Sequence, residues 1–357
     1  MPDPSGHGVE GRRYVRLEPA GGALRTVVAR VSRWAGSGGR AVIAPSAVGV
    51  CRSDLRELAG ARPLRRDFGH EIVARVVAAD PDELHDLLAA PAVCLDPHVE
   101  VTRTSGFAEL IEIAAPVGAV RCALRPLPAT LASAVGVFVE PFACASHCVA
   151  RAVAQPPAVA AGRAAVVGAG MAGTLIALGL EVAGLEVDLF NRTERRLEVL
   201  RDRGVFAATA LRRFDEPADG YGTLVLASAE ISDDALDWAF RAVADGGRVV
   251  LYGGTTPGVA VAGVDVDGVR RGERRAEVVR GRRTVQLVGT HGALAADFER
   301  AIALLERDGP GAPRARLMRL LGPELTLAQA AEELPRRMSG GFAGKAYIRP
   351  ADESGVS

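Results

Sequence analysis

Between residues 162 and 290, short apolar runs alternate with longer amphipathic stretches, and this alternation constrains the fold more than any other feature. A short apolar run has the length of a buried strand, whereas apolar residues that recur every three or four positions are typical of a helix. Strands and helices that alternate in this way predict a parallel sheet covered by helices. The predicted strands are Ala164–Val167, Val187–Phe190, Leu224–Ala227 and Arg248–Tyr252, and the predicted helices are Met171–Ala183, Glu194–Arg203 and Asp233–Val243.

A glycine-rich turn follows the first predicted strand. Gly168 permits a tight turn, Gly170 lets a pyrophosphate approach the backbone, and Gly173 lets a helix pack closely on the strand. Met171 and Ala172 begin that helix, whose unpaired N–H groups and positive dipole end favour phosphate. This context predicts a doubly wound α/β domain of the Rossmann type, which binds a nucleotide, at residues 156–290. A structural turn without a ligand is the alternative.

The end of the second predicted strand indicates which nicotinamide cofactor is preferred. An NAD-binding enzyme usually places Asp or Glu here, whereas this chain has Asn191, followed by Arg192 and Arg196. The asparagine can hydrogen-bond a 2′-phosphate and the arginines supply opposite charge, so we expect NADP, with NAD as the alternative. The run also resembles the NRTxxR phosphate-binding motif of shikimate dehydrogenases. The competing interpretation is that these arginines form the solvated face of a surface helix.

The rest of the chain consists of short β-rich segments separated by Gly and Pro. Because 357 residues exceed what one hydrophobic core usually accommodates, we expect a second domain, made of residues 1–155 and 291–357. The segments that predict strands in the remainder are Leu24–Val31, Ala41–Val50, Glu71–Ala78, Val285–Val288 and Ala346–Ile348, and Ala295–Arg307 predicts a helix.

Composition narrows the class of protein. The 43 basic side chains balance the 43 acidic ones, which argues against a nucleic-acid or membrane-surface partner. The five cysteines are an odd number at irregular spacing and contain no CxxC pair, so they predict a reducing compartment rather than a disulfide framework. We therefore expect a cytoplasmic protein.

Three stretches carry a family resemblance: Val48–Asp54, Phe68–Glu71 and Val139–Cys144. In this order, ahead of the nucleotide-binding domain, they resemble the zinc-dependent alcohol and polyol dehydrogenases of the medium-chain dehydrogenase/reductase family. The resemblance covers nearly the whole chain and includes Gly246–Val250 and Gly344–Tyr347. It implies a β-rich, GroES-like catalytic domain beside the Rossmann domain.

The resemblance implies a catalytic zinc site. Such a site takes about three N, S or O ligands and keeps one open position. Cys51 supplies a thiolate and His70 an imidazole, while Glu71 and Glu140 are both candidates for the third ligand, which sequence alone does not rank. The remaining catalytic residues implied by the family pattern are Asp54, which orients the ligands, and Ser53, which relays the alcohol proton. The competing interpretation is that Cys51 and His70 are ordinary core residues.

The chain departs from the family in one respect. Most zinc alcohol dehydrogenases carry a second, structural zinc in a lobe of four cysteines, whereas here Cys94 and His98 are followed within ten residues by Ser105–Glu109. We therefore expect one zinc per subunit. We also expect Cys122 and Cys148 to be core residues and His147 to be a packed helical residue. The seven arginines between Arg270 and Arg283 are expected to face solvent or a neighbouring subunit.

These inferences together predict an oxidoreductase that exchanges hydride between NADP and a small-molecule secondary alcohol or its ketone. By resemblance, the substrate is a polyol, sugar, cyclitol or amino alcohol, and the enzyme is a homodimer or homotetramer. Two alternatives remain open from the sequence. One is a reductase of C=C or C=N bonds on the same fold, and the other is a cofactor-binding protein without catalysis.

Overall fold

The structure, a computed structural model, describes residues 9–34, 36–61, 68–154, 162–216 and 218–350. These residues form two compact units. The predicted domain boundary at residues 155 and 156 lies outside the described residues, and residues 290 and 291 both lie in the second unit. The first unit contains the described residues of Met1–Glu140, Leu305–Asp308 and Leu320–Ser357, and the second those of Pro141–Leu304 and Gly309–Arg319.

The helices and strands are numbered in chain order. The strands are β1 (Arg13–Ala20), β2 (Ala23–Arg30), β3 (Gly39–Gly49), β4 (Glu71–Asp80), β5 (Ala92–Leu95), β6 (Thr102–Arg103), β7 (Ile111–Ala115), β8 (Leu124–Leu127), β9 (Arg163–Val167), β10 (Glu186–Asn191), β11 (Ala210–Arg213), β12 (Tyr221–Leu226), β13 (Val243–Leu251), β14 (Ala260–Val261), β15 (Val264–Asp265), β16 (Arg275–Arg280), β17 (Arg283–Gly289), β18 (Leu321–Leu325) and β19 (Lys345–Ile348). The helices are α1 (Arg52–Leu58), α2 (Val117–Ala123), α3 (Val139–Val153), α4 (Met171–Val182), α5 (Glu194–Asp202), α6 (Asp233–Ala242), α7 (Val266–Arg271), α8 (Ala295–Glu306), α9 (Pro313–Met318) and α10 (Leu327–Arg336).

The second unit contains the predicted doubly wound sheet. Its described strands follow the order β11-β10-β9-β12-β13-β17-β16. All neighbours pair in parallel except β16 and β17, which are antiparallel. The order reverses beside β9, and at such a switch point the carboxyl ends of the strands form a ligand crevice. This sheet confirms the predicted α/β fold class.

The first unit is built on a mostly antiparallel sheet centred on β3. Strand β3 pairs with β4, β7 and β19, so segments distant in sequence converge on it. Gly49, at the end of β3, is in register with Glu71 on one side and Tyr347 on the other. This register brings the end of β3, the start of β4 and the last strand together. The buried core around these strands includes Ile43, Val48, Ile72 and Ala346.

Two of the cysteines, Cys122 and Cys148, were expected to be core residues. All five lie in the described part of the chain as free thiols. Cys148 is buried, as predicted, and burial raises the pKa of its thiol. Cys94 is also buried, and burial raises the pKa of its thiol to about 12. The prediction for Cys122 is wrong, because Val120 and Ala123 take the inward face of α2 and leave Cys122 exposed.

No helix of the described residues has both the length and the apolar character needed to cross a bilayer. Helix α3 has Glu140 in its first turn and the buried His147 further along, and the buried part of α4 includes Thr174.

Candidate metal and cofactor sites

The predicted metal ligands Cys51, His70 and Glu71 form one group in the first unit. Their ligand atoms all lie within 4.8 Å of one another. Cys51 follows β3 and precedes α1, while His70 and Glu71 stand at the start of β4, the antiparallel neighbour of β3. A Cβ on Gly49 would lie 2.4 Å from Glu71 Oε2, so the glycine leaves the space that the carboxylate occupies.

Asp54 connects the two chain segments that carry the thiolate and the imidazole. Its side chain is buried, accepting hydrogen bonds from Cys51 N at 2.9 Å and from Gly69 N at 3.1 Å. His70 Nδ1 lies 3.4 Å from Asp54 Oδ1, which leaves Nε2 available as a ligand atom. Burial lowers the pKa of His70, but the Asp54 carboxylate outweighs this effect and holds that pKa well above its ordinary value.

Glu71 is paired with Lys345, a residue that the sequence did not single out as functional. Lys345 Nζ forms an ion pair with Glu71 Oε2, and the two side chains are only 3% and 1% exposed. Burial lowers the pKa of Lys345, but the charges of Glu71 and Cys51 outweigh it and raise that pKa above its ordinary value. A metal that binds Glu71 must therefore share this carboxylate with a buried ammonium group.

Ser53 and Glu140 complete the predicted set but lie outside this group. Ser53 is half-buried in the first turn of α1, next to Asp54. Glu140 is buried in the first turn of α3, and its carboxylate lies within 4.8 Å of a ring nitrogen of His98. Its charge also contributes to the raised pKa of Lys345. The roles of Ser53 and Glu140 stay predictions.

The glycine-rich turn of the second unit has the predicted shape. Gly168 has φ +111°, a backbone conformation that side chains rarely adopt. A Cβ on Gly173 would lie 1.8 Å from the Gly168 carbonyl oxygen, so only glycine lets α4 approach β9 this closely. Met171 and Ala172 form the first turn of α4, with Gly170 as its N-cap. The turn fits the pyrophosphate of a dinucleotide.

Asn191 uses its side chain to hold this turn. Its Oδ1 accepts a hydrogen bond from Ala169 N at 3.1 Å, and its Nδ2 donates to Thr193 O at 2.8 Å and to Thr193 Oγ1 at 3.0 Å. Asn191 is buried, which differs from the expectation of an asparagine that points to a phosphate. The position therefore contributes through the shape of the turn and by supplying no negative charge.

The arginines around the turn are exposed or half-buried. Arg192 and Arg196 both lie at the surface, and Arg196 Nη1 would be 3.3 Å from a Cβ on Gly170, so this guanidinium lies over the turn. Arg213, which the sequence analysis did not identify, ends β11 in register with Asn191. It forms an ion pair with Asp215 at 3.2 Å. The sequence signal that could have drawn attention to Arg213 is the pair of basic residues Arg212-Arg213 directly before Phe214.

The Arg270–Arg283 segment lies at the surface of the single chain, which is compatible with both of its expected environments, solvent and a neighbouring subunit. Except for Arg270, its arginines are exposed. Arg271 and Arg280 form surface ion pairs with Asp267 and Asp237. Arg270 is less exposed and donates to the carbonyl oxygen of Tyr252.

Known proteins provide an independent comparison. No protein-family profile matches the chain. A curated relative, the D-altritol 5-dehydrogenase of Agrobacterium fabrum, is 28% identical over 307 residues, which cover 76% of this chain and 82% of the relative.

Solved structures share the fold. TarJ of S. aureus in complex with NADPH superposes with a TM-score of 0.68 at 14% identity, over 95% of this chain and 100% of that one. A cobalt- and zinc-bound thermostable alcohol dehydrogenase from Pyrobaculum aerophilum superposes with a TM-score of 0.67 at 19% identity, over 95% of this chain and 100% of that one. At these identities the superpositions establish the fold.

Proposed function

We propose that the chain is a medium-chain dehydrogenase/reductase and, within that family, a zinc-dependent, NADP-preferring alcohol dehydrogenase, which the curated relative and the shared fold support. Its substrate is a secondary alcohol, or the corresponding ketone, of the polyol, sugar, cyclitol or amino alcohol class. A 28% identical relative that bears the name of a polyol dehydrogenase supports this class.

The observation that carries the proposal is the grouping of Cys51, His70 and Glu71. A thiolate, an imidazole and a carboxylate within 4.8 Å of one another are a donor set suited to zinc. Three protein ligands leave a fourth position for substrate, which is the arrangement of catalytic rather than structural zinc sites. Glu140 is the proposed alternative to Glu71 as the third ligand.

Each residue of the proposed site has a separate role in the reaction. When bound, zinc supplies Lewis acidity at the substrate oxygen, and the nicotinamide ring accepts or donates the hydride. Ser53 takes the hydroxyl proton during oxidation and returns it to the carbonyl oxygen during reduction. Asp54 keeps His70 oriented for the metal through the contact at Nδ1. Lys345 balances the charge of Glu71.

The cofactor preference follows from the charges around the glycine-rich turn. Asn191 puts no carboxylate where it would repel a 2′-phosphate, and Arg192 and Arg196 are exposed cations beside the turn. Together these residues favour NADP over NAD.

Two further expectations belong to the same proposal. Five free thiols suit a reducing compartment, so we place the enzyme in the cytoplasm. We expect it to assemble as a homodimer or homotetramer.

The test combines metal analysis with a substrate panel. The purified protein should contain about one zinc per chain and oxidise at least one polyol, sugar, cyclitol or amino alcohol with NADP. Ser53→Ala should lower kcat by roughly 10²-fold or more, the usual scale for a positioned acid–base group. Ser37→Ala, at an exposed serine of the same unit, is the matched control and should leave kcat unchanged. Turnover of enones without any alcohol activity would contradict the proposal.

A further inference from the structure

His147 is a buried histidine whose two ring nitrogens both face carboxylates. Nδ1 lies 2.8 Å from Asp297 Oδ2, and Nε2 lies 2.8 Å from Glu273 Oε1. The ring is 7% exposed, and the Asp297 side chain 5%. Each ring nitrogen therefore lies at hydrogen-bond distance from one carboxylate oxygen. His147 therefore joins three parts of the second unit: α3, the segment after α7 and the first turn of α8.

The same two carboxylates hold the segment between β17 and α8. Glu273 Oε1 also accepts a hydrogen bond from His291 N at 2.8 Å. Asp297 Oδ2 also accepts one from Leu294 N at 2.9 Å. Both ends of the segment 291–294 are therefore fixed by oxygens that share His147 as a partner.

Arg151, one turn further along α3, adds a guanidinium group to this assembly. Its guanidinium donates to the Gly289 carbonyl oxygen at 2.6 Å and also to the Glu273 carbonyl oxygen. Burial raises the pKa of Glu273, but the hydrogen bonds from His291 N and His147 outweigh it and lower that pKa below its ordinary value. Glu273 is thus held through its main chain and its side chain.

The backbone at Glu273 adopts a disfavoured conformation. Its φ is +49°, in the left-handed region that favours glycine. A residue keeps such a conformation only where its surroundings over-determine it, and strained positions of this kind cluster at functional sites. Here the surroundings that hold Glu273 are His147, His291 N and Arg151.

The held segment stands at the carboxyl end of β17. In a doubly wound sheet, a dinucleotide lies across the carboxyl ends of the strands. The glycine-rich turn after β9 and Asn191 at the end of β10 mark the half that receives the pyrophosphate and the adenosine ribose. The nicotinamide half then extends over the opposite half of the sheet, which contains β12, β13 and β17.

We propose that His147 is a positioning residue that, through Glu273 and Asp297, holds the segment 291–294 in the conformation that binds the nicotinamide half of the cofactor. The inference rests on the proposed function, because it assumes that the chain binds a nicotinamide dinucleotide. It does not depend on the metal group, which consists of Cys51, His70 and Glu71.

The test compares whole cofactor with a fragment. NADPH contains both halves, whereas 2′-phospho-ADP-ribose contains the phosphorylated adenosine half and the pyrophosphate but no nicotinamide. Dissociation constants for both are measured by titration calorimetry on wild type, His147→Gln and Glu273→Ala. Glu273→Ala acts at a partly exposed side chain, so it serves if the buried histidine variant fails to fold. Glu299→Ala, at an exposed carboxylate of α8, is the matched control.

The expected result is a difference between the two ligands. Both network variants should bind NADPH about tenfold more weakly, and the fragment as tightly as wild type does. The control should bind both ligands as wild type does. Unchanged NADPH affinity in the variants, or an equal loss for NADPH and the fragment, would overturn the positioning role. A wild-type protein that binds neither ligand would instead refute the proposed function on which the inference rests.

Discussion

The metal group of Cys51, His70 and Glu71 and the glycine-rich turn after β9, the cofactor turn, differ in the burial of the charged side chains around them. Around the metal group, Asp54, Glu71 and Lys345 are buried and paired within the protein. Around the turn, Arg192, Arg196 and Arg213 are exposed to solvent or half-buried. A buried charge that loses its partner is strongly destabilising, whereas an exposed charge is screened by water and salt. Substitutions at the first site should therefore affect metal binding and folding, and substitutions at the second should affect ligand preference alone.

The largest effect is expected when the thiolate is removed. Cys51→Ala should abolish zinc binding and turnover, because two ligands and a water do not hold a catalytic zinc. NADPH affinity should persist, since the glycine-rich turn belongs to the other unit. Metal analysis by mass spectrometry and a cofactor titration measure both effects, and a chelator should reproduce the loss in wild type. Cys122→Ala, at the exposed cysteine, is the control. Wild-type zinc content in Cys51→Ala would remove Cys51 from the ligand set.

The next effect concerns the buried ion pair. Lys345→Met leaves the Glu71 carboxylate buried without its cation, and the metal-free protein should lose about 3–5 kcal/mol in the free energy of unfolding. Adding Glu71→Gln to that variant should restore most of this loss, because the uncompensated charge is then gone. Urea denaturation of the chelator-treated proteins gives the values.

Arg349→Met is the matched control for this experiment. It breaks an exposed ion pair with Glu324 in the same unit and should cost less than about 1 kcal/mol. An equal loss in Lys345→Met and Arg349→Met would erase the distinction between buried and exposed charge.

A smaller effect is expected at the cofactor turn. Arg192→Ala and Arg196→Ala should each weaken NADPH binding by roughly ten- to a hundredfold, the value of one charge-assisted hydrogen bond. NADH affinity should change little, because NADH lacks the 2′-phosphate. Arg282→Ala removes an exposed arginine elsewhere in the same unit and controls for net charge. Arginine variants that lose NADH as much as NADPH would show that these residues do not recognise the phosphate.

The smallest effect is the response to salt. Raising ionic strength from about 0.1 M to about 1 M shortens the Debye length from about 10 Å to about 3 Å. NADPH should then bind a few-fold more weakly to wild type, while zinc content stays constant because metal–ligand bonds act at contact distance and Glu71 is buried. Fluorescence titration at the two ionic strengths measures the first effect and metal analysis the second. A zinc content that falls with salt while NADPH affinity holds would reverse the comparison.

The sequence predicted the second unit well because its signals are local. The predicted strand Val187–Phe190 lies inside β10, and Leu224–Ala227 overlaps the second half of β12, since a buried parallel strand is a continuous apolar run. Strand β11 was missed, because as an edge strand it carries two arginines and lacks that run. Arg213 was missed with it.

The family resemblance pointed to Cys51, His70 and Glu71 because they stand in two recognisable motifs, and the structure brings these motifs together through the pairing of β3 with β4. The sequence did not reveal that Lys345 faces Glu71, nor that Glu273 and Asp297 bracket His147. These are contacts between residues far apart in the chain, and no local periodicity encodes them. Cys122 was misplaced for a simpler reason: free cysteines are usually buried, but the helix α2, which was not predicted, buries Val120 and Ala123 instead.

The pairing of β19 with β3 has a consequence for synthesis on the ribosome. Glu71 is translated well before Lys345, which it meets because β19 pairs with β3. At about 5–20 residues per second, roughly 15 to 55 seconds separate the two. Throughout that interval Cys51, His70 and Glu71 exist without the ammonium group that later neutralises the carboxylate. The three candidate ligands are therefore all synthesised before the cation that pairs with Glu71.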